Sequence, residues 1–213
     1  MSLFNGEATT NKGIQMARSV TINGVPFSIG NKKLPDGTAI FNMNPAKTCP
    51  SMALGLCQCA GKCYAFKAER LYPQVLPFRE RQQKAFLELS PAVIANAIYF
   101  GGTKKQPITC FRFSEAGDFA NQAAVDKMTE VCKLLKAGGI ACYGYTARKD
   151  LDFTELKKFA TVQGSGFMVS NNFKFIPKGG TTEGCDVTCA GDCRICSICW
   201  EGKQGLVIAS PEH

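Results

Sequence analysis

Between residues 108 and 170, apolar runs of strand length alternate with amphipathic helical stretches, and this alternation restricts the fold more than any other feature. "ITCFRF" and "IACYGY" read as strands around "NQAAVDKMTEVCKLLKAGG", which sets Val125, Met128, Cys132 and Leu135 on one helical face and stops at Gly138 and Gly139. "DFTELKKFA" follows, with Asp152 and Glu155 at capping-box spacing, then "GFMVS" and, near the end, "GLVIAS" as strands. Strands alternating with helices predict parallel βαβ units. Upstream, "SVTINGVPFSIG" has two apolar-alternating arms around Asn23-Gly24, the signature of a two-residue hairpin over 19–30. "TAIFNMNP" reads as a buried strand, "RERQQKAFLEL" as a helix, and "SPAVIANAIYFGG" as a helix capped by Ser90 with Pro91 in its first turn. About five parallel strands are expected, or six to eight if the ribbon and other segments join.

Ligands of parallel α/β folds sit at the carboxyl ends of the strands. Here those ends are "NPAKTCP", "SEAGDF", "YTARKD" and "SNNF". No apolar run approaches the roughly 20 residues of a membrane helix, and the first residues lack the layout of a secretory leader. A cytoplasmic protein is expected, in a reducing compartment that disfavours disulfides. The only histidine is His213, which excludes Ser-His-Asp and Cys-His catalysis and histidine-based zinc sites.

The twelve cysteines therefore point to metal or redox chemistry. Five of them fall in "CDVTCAGDCRICSICW". The unbroken Cys193-x2-Cys196-x2-Cys199 is the ferredoxin layout, whereas a zinc ribbon uses two separated C-x2-C knuckles. The fourth ligand is open between Cys185 and Cys189, with Cys185 preferred. A second group, Cys49, Cys57, Cys59 and Cys63, lies in the loop after a strand with irregular spacing. Cys110, Cys132 and Cys142 read as small core hydrophobes. The formal charge of +8 counts every thiol as neutral. Two four-iron clusters on thiolates would lower it to about +4, so the basic excess is a weak argument for nucleic acid.

Other candidates cluster at the strand ends. Glu115 and Asp118 flank a glycine and suit a ligand amine or a proton in transfer, while Asp118 equally suits a helix cap. Arg112 alternates with Phe111 and Phe113 and so points away from them, towards a ligand anion or a pairing with Glu115. Tyr145, Thr146 and Arg148 share the same expected rim, where they suit binding a cofactor or ligand and equally suit the entry to the next helix. "KAERLYPQVLPFRERQQK" interleaves Arg70, Arg79, Arg81 and Lys84 with Tyr72 and Phe78, which suits a nucleic-acid backbone. The acidic Glu69, Glu80 and Glu88 mixed into that region favour a solvated helix face instead.

"TCPSMALGLCQC", "KCYAFKAER", "YPQVLPFRERQ", "RFSEAGDF", "YGYTARKDLDF" and "DCRICSICW", in that order, resemble the phage gene product 88 family over about residues 40–200. The resemblance implies a small β/α barrel similar to radical S-adenosylmethionine enzymes. It carries over Cys49, Cys57 and Cys63, the Glu115-Gly117-Asp118 turn, Tyr145-Thr146, and Cys193, Cys196 and Cys199 with Trp200. Cys59 and Cys189 stand outside the pattern. Radical enzymes hold their cluster with C-x3-C-x2-C after the first barrel strand. The likeness here is one of position, and Cys59 as a fourth thiolate would close the iron that binds the cosubstrate.

Together these readings predict one α/β domain over residues 1–213: a hairpin at 19–30, a small or partial TIM-like parallel β/α barrel over 38–172, and a cysteine-rich segment at 185–200. The expected function is an iron-sulfur protein with two [4Fe-4S] clusters, of redox or radical type, with S-adenosylmethionine at the first cluster as a hypothesis. Its partner would be a small-molecule substrate or an electron donor. The alternative is a zinc-stabilised, non-enzymatic nucleic-acid-binding module; whether the chain is an enzyme stays open.

Overall fold

The computed structural model describes residues 18–58 and 60–212; Cys59 and His213 lie outside the described residues. Strands β1 (Arg18–Ile22) and β2 (Val25–Ile29) form the expected antiparallel hairpin, and both turn residues, Asn23 and Gly24, take positive φ. That is what a hairpin turn matching the right-handed strand twist requires. β2 pairs antiparallel with β3 (Thr38–Phe41), and from there every pairing is parallel. The sheet runs β1-β2-β3-β4-β5-β6-β7-β9-β8, with β4 Cys110–Phe113, β5 Ala141–Thr146, β6 Thr161–Ser165, β7 Asn171–Ile176, β8 Val187–Thr188 and β9 Val207–Pro211. It is a mostly parallel α/β sheet that ends on β1 and β8 and does not close into a barrel.

Short helices α1 (Pro50–Ala53) and α2 (Tyr64–Leu71) follow β3, and α3 (Val75–Glu88), α4 (Pro91–Tyr99) and α5 (Gln122–Ala137) pack on one face of the sheet. The main core lies there. Val25, Phe27, Phe41, Phe111, Phe113 and Val162 from alternate strand positions meet Phe86, Ile94, Ile98, Met128, Val131 and Leu135 from the helices. Ser90 caps α4 by accepting from the Val93 N–H, with Pro91 in the first turn. Val125, Met128, Cys132 and Leu135 are buried in α5 as their spacing predicts.

Two elements differ from the sequence reading. "DFTELKKFA" makes only a 3-10 turn at Leu156–Lys158. The Asp152 carboxylate accepts from both the N–H and hydroxyl of Thr154, and Glu155 pairs with Lys158, so the capping box never closes. "GFMVS" is a link and not a strand; β6 precedes it and β7 follows it. Gly166 has φ +84°, and the Ser170 N–H donates back to the Val162 carbonyl, so the link folds along β6 before β7 sets out parallel to it. The parallel sheet consequently extends beyond residue 172, through β7 and β9.

On the helix-covered face, Gly144 lies directly beneath the Phe113 ring, where an added Cβ would stand 2.1 Å from ring carbons. Phe113 is fully buried and cannot retreat. Gly144→Ala is therefore expected to destabilise the protein by about 1–3 kcal/mol, read as a lower urea midpoint at unchanged slope.

Candidate functional site

The carboxyl ends of β3, β4 and β5 converge on one carboxylate. Asp118, in the loop after β4, is 4% exposed, and its two oxygens accept from the Ser51 hydroxyl (2.5 Å), the Thr146 hydroxyl (2.8 Å), the Ala147 N–H (2.7 Å) and the Phe119 N–H (2.8 Å). Burial pushes its carboxyl up from the ordinary range, and these four donors pull the other way. Asn44 holds the backbone of the same residue from both sides: its amide donates to the Asp118 carbonyl and its carbonyl oxygen accepts the Asp118 N–H. Gly117, at φ +72°, permits this approach, since a Cβ there would meet Asn44 Oδ1 at 2.0 Å. Asp118 does not cap α5; the Asn121 side chain does, accepting from the Ala124 N–H.

Arg148 turns into the same loop. Its guanidinium donates to the Phe119 and Ala120 carbonyls and forks onto Asp150 through Nε (2.9 Å) and Nη2 (2.8 Å). Thr146 is likewise engaged, donating to Asp118 and accepting the Arg148 N–H. Asp118, Thr146 and Arg148 thus form one buried hydrogen-bonded network at the rim.

The first cysteine group is carried on that rim. Cys49 precedes α1 and Cys63 precedes α2, each at the N-cap position. Cys49 is buried, which pushes its thiol up to about 11 against the opposing pull of the Ser51 and Met52 N–H groups. Cys57 is near enough to raise it further. The loop is anchored by Glu69, whose carboxylate accepts from the Ala46 (2.7 Å) and Lys47 (3.0 Å) N–H groups and from Arg79 (2.8 Å). Both side chains of this ion pair are nearly inaccessible, at 8% for Arg79 and 4% for Glu69. The sequence reading placed both on a solvated face; the structure buries them because Glu69 is the acceptor that the turn after β3 needs.

The second cysteine group lies over the sheet face that bears no helix among the described residues. The Cys193 N–H donates to the Lys33 carbonyl (2.7 Å) in the loop before β3, and the Cys189 N–H donates to Ala209 in β9 (2.8 Å), so the segment spans the open face. The Tyr145 hydroxyl sits 3.6 Å from Cys199 Sγ. Burial, followed by Cys193, Cys189 and Cys196 acting together against the Tyr145 contact, pushes the Cys199 thiol up to about 11. Cys193 is raised by burial and by Cys189 and Cys196, while Arg112 pulls it down. Cys189 and Cys196 act on both thiols. Among the described residues, no group of three or more Cys, His, Asp or Glu side chains is arranged as it stands to hold a single metal ion.

Beneath this segment lie the side chains that alternate with the core. Arg112 points away from Phe111 and Phe113, stacks over the Tyr145 ring at 5.3 Å, and reaches Glu115 at 3.6 Å. Glu115 also accepts from the Asn31 amide (3.2 Å), and its carbonyl accepts from the Tyr64 hydroxyl (2.5 Å). One continuous row, Tyr64–Glu115–Arg112–Tyr145–Cys199, therefore connects the residue following Cys63 to the second cysteine group. Tyr143 and Gln163 share this face and are fully buried, yet the sequence reading passed over both. The alternation Tyr143-x-Tyr145 in "ACYGYT" is the signal that places Tyr143 there; Gln163 has no such sequence signal and is placed there by its register opposite Tyr145.

A family model described as "Gene product 88" matches residues 5–163, which takes in the first cysteine group and the Asp118 rim and ends before the second group. No curated protein and no solved structure matches the chain.

Replacing Asp118 by Asn turns one acceptor oxygen into a donor that faces other donors. We expect Asp118→Asn to destabilise the protein by roughly 2–4 kcal/mol in urea unfolding, because it leaves buried donors on Ser51, Thr146 or the Ala147 backbone without partners.

Proposed function

We propose that this chain, which belongs to the gene product 88 family, is an iron-sulfur protein of electron-transfer type. In this reading Cys189, Cys193, Cys196 and Cys199 hold one [4Fe-4S] cluster, and Cys49, Cys57 and Cys63, with Cys59 between them, hold the other. The observation that carries it is the cysteine-rich segment lying over a buried polar face, with the Tyr145 hydroxyl 3.6 Å from Cys199 Sγ and the Arg112 guanidinium stacked on the Tyr145 ring. An all-sulfur donor set suits a cluster or zinc, and thiols raised by burial and by one another are ones that a metal must deprotonate on binding. The cationic and hydroxyl neighbours suit the sulfurs of either, and the unbroken Cys193-x2-Cys196-x2-Cys199 spacing favours the cluster. When bound, such a cluster supplies one-electron transfer. The row from Tyr64 to Cys199 links the two groups through packed polar side chains. Both carboxylates beside the first group are engaged, Asp118 by four donors and Glu115 by Asn31 and Arg112, which favours electron transfer over S-adenosylmethionine chemistry there.

One observation favours an additional nucleic-acid role. Glu69 is the only acidic residue between Lys47 and Arg79, and it is buried. The surface of that stretch presents Lys47, Lys67 and Arg70 among exposed Tyr64, Phe66 and Tyr72, a cationic and aromatic combination that suits single-stranded nucleic acid.

Anaerobically purified protein should be brown and contain iron and inorganic sulfide in equal amounts, and Cys196→Ser should remove the share of the second cluster. A colourless protein with zinc and no sulfide would sink the reading. For the nucleic-acid role, anisotropy titration of a single-stranded oligonucleotide should show affinity falling about tenfold between roughly 50 and 200 mM salt, with Lys67→Glu/Arg70→Glu abolishing most of it. Binding indifferent to salt and to that double substitution would exclude this surface.

A further inference from the structure

The open face of the sheet holds polar atoms that the protein leaves without partners. Among the described residues, Arg112 Nε, the Tyr143 hydroxyl and both amide atoms of Gln163 are buried and make no hydrogen bond, and Trp200 Nε1, next to Cys199, is in the same condition. Tyr143 and Gln163 are 0% exposed, so bulk water does not satisfy them. Buried polar groups in native proteins are nearly always paired, and each one left alone is destabilising by about 1–3 kcal/mol.

Their positions are not scattered. Parallel register sets Arg112 beside Tyr143 on β4 and β5, and Tyr145 beside Gln163 on β5 and β6. Arg112 also stacks on Tyr145, whose hydroxyl reaches Cys199. These atoms thus line one patch, roofed by the segment bearing Cys189 to Cys199; Ser114 Oγ, past the end of β4, and Asn172 Oδ1, which alternates with Gln163's register partner Asn171, are also buried without partners but lie outside it. Within that patch the chemistry is one-sided as well. Arg112 Nε, Trp200 Nε1 and the Gln163 amide nitrogen are donors, and the Tyr143 hydroxyl supplies another, against a single obligatory acceptor at Gln163 Oε1.

We infer that Arg112, Tyr143 and Gln163 form a preassembled wall of hydrogen-bond donors that receives the sulfur atoms of the second cluster and sets its reduction potential. This inference rests on the iron-sulfur reading above and deepens it. A cluster on four thiolates is an anion placed in a buried site, and donors aimed at its sulfurs stabilise the reduced, more negative state. Zinc bound by four thiolates would accept the same hydrogen bonds but, being redox-inert, has no reduction potential for them to set. The three residues touch the cofactor only through hydrogen bonds; they tune it and do not ligate it.

The test uses the full chain loaded anaerobically, with the redox wave of the second cluster identified as the one that Cys196→Ser removes. Tyr143→Phe and Gln163→Leu each delete donors at nearly constant volume. Both are expected to keep the iron and sulfide content and to move that wave to more negative potential. Their apoproteins should melt at or above the parent temperature, because an unpartnered buried polar group has been replaced by an apolar one. Thr129→Val, on the helix-covered side, should leave the wave in place. An unmoved wave in both variants at full iron and sulfide content overturns the inference while leaving the iron-sulfur reading intact, and so does an equal movement in Thr129→Val. A parent protein without iron and sulfide defeats the iron-sulfur reading itself, and the inference with it.

Discussion

A mostly parallel sheet is stable only when both of its faces are covered, and among the described residues helices cover just one. Everything unusual about this molecule follows from how the other face is closed. Phe111, Phe113, Cys142 and Val162 alternate into the helix-covered core, which obliges Arg112, Tyr143, Tyr145 and Gln163 to occupy the opposite side. The cysteine-rich segment then crosses them, tied to the loop before β3 at Cys193 and to β9 at Cys189. A cover built of closely spaced cysteines over a floor of donors is poorly suited to be a hydrophobic layer. That composition is the physical ground for the proposal that it encloses an anionic, sulfur-rich group.

The rim shows a contrasting use of polar groups. Asp118 is as buried as Gln163, but its oxygens accept from Ser51, Thr146, Phe119 and Ala147, and Arg148 fills the adjacent carbonyls of Phe119 and Ala120. Glu69 and Arg79 do the same beneath the first cysteine loop. These satisfied networks make three strand ends into one rigid platform, whereas the open face keeps its donors unspent. The distinction between satisfied and unsatisfied burial is what separates scaffold from candidate site in this protein.

Much of the architecture was legible in local patterns. The Asn23-Gly24 turn, the Ser90-Pro91 helix start and the one-faced spacing of α5 each depend on neighbours within a few residues, so the chain alone specified them. "DFTELKKFA" failed because Asp152 found a closer partner in Thr154 than the capping pattern assumes. "GFMVS" misled because apolar content signals burial and not strand pairing, while the less apolar "TVQGS" and "NNFKFI" supplied the actual strands.

The sequence by itself determined the strand-and-helix alternation, the two cysteine groups, the absence of histidine chemistry, and the opposition of Arg112 to its phenylalanine neighbours. These are one-dimensional facts of spacing and composition. Only the tertiary structure decided that the sheet stays open, that Glu69 and Arg79 are buried, and that Tyr143 and Gln163 stand unpartnered on the face that Cys199 approaches. Each of these depends on strand register and on contacts between residues far apart in the chain, which no local pattern encodes.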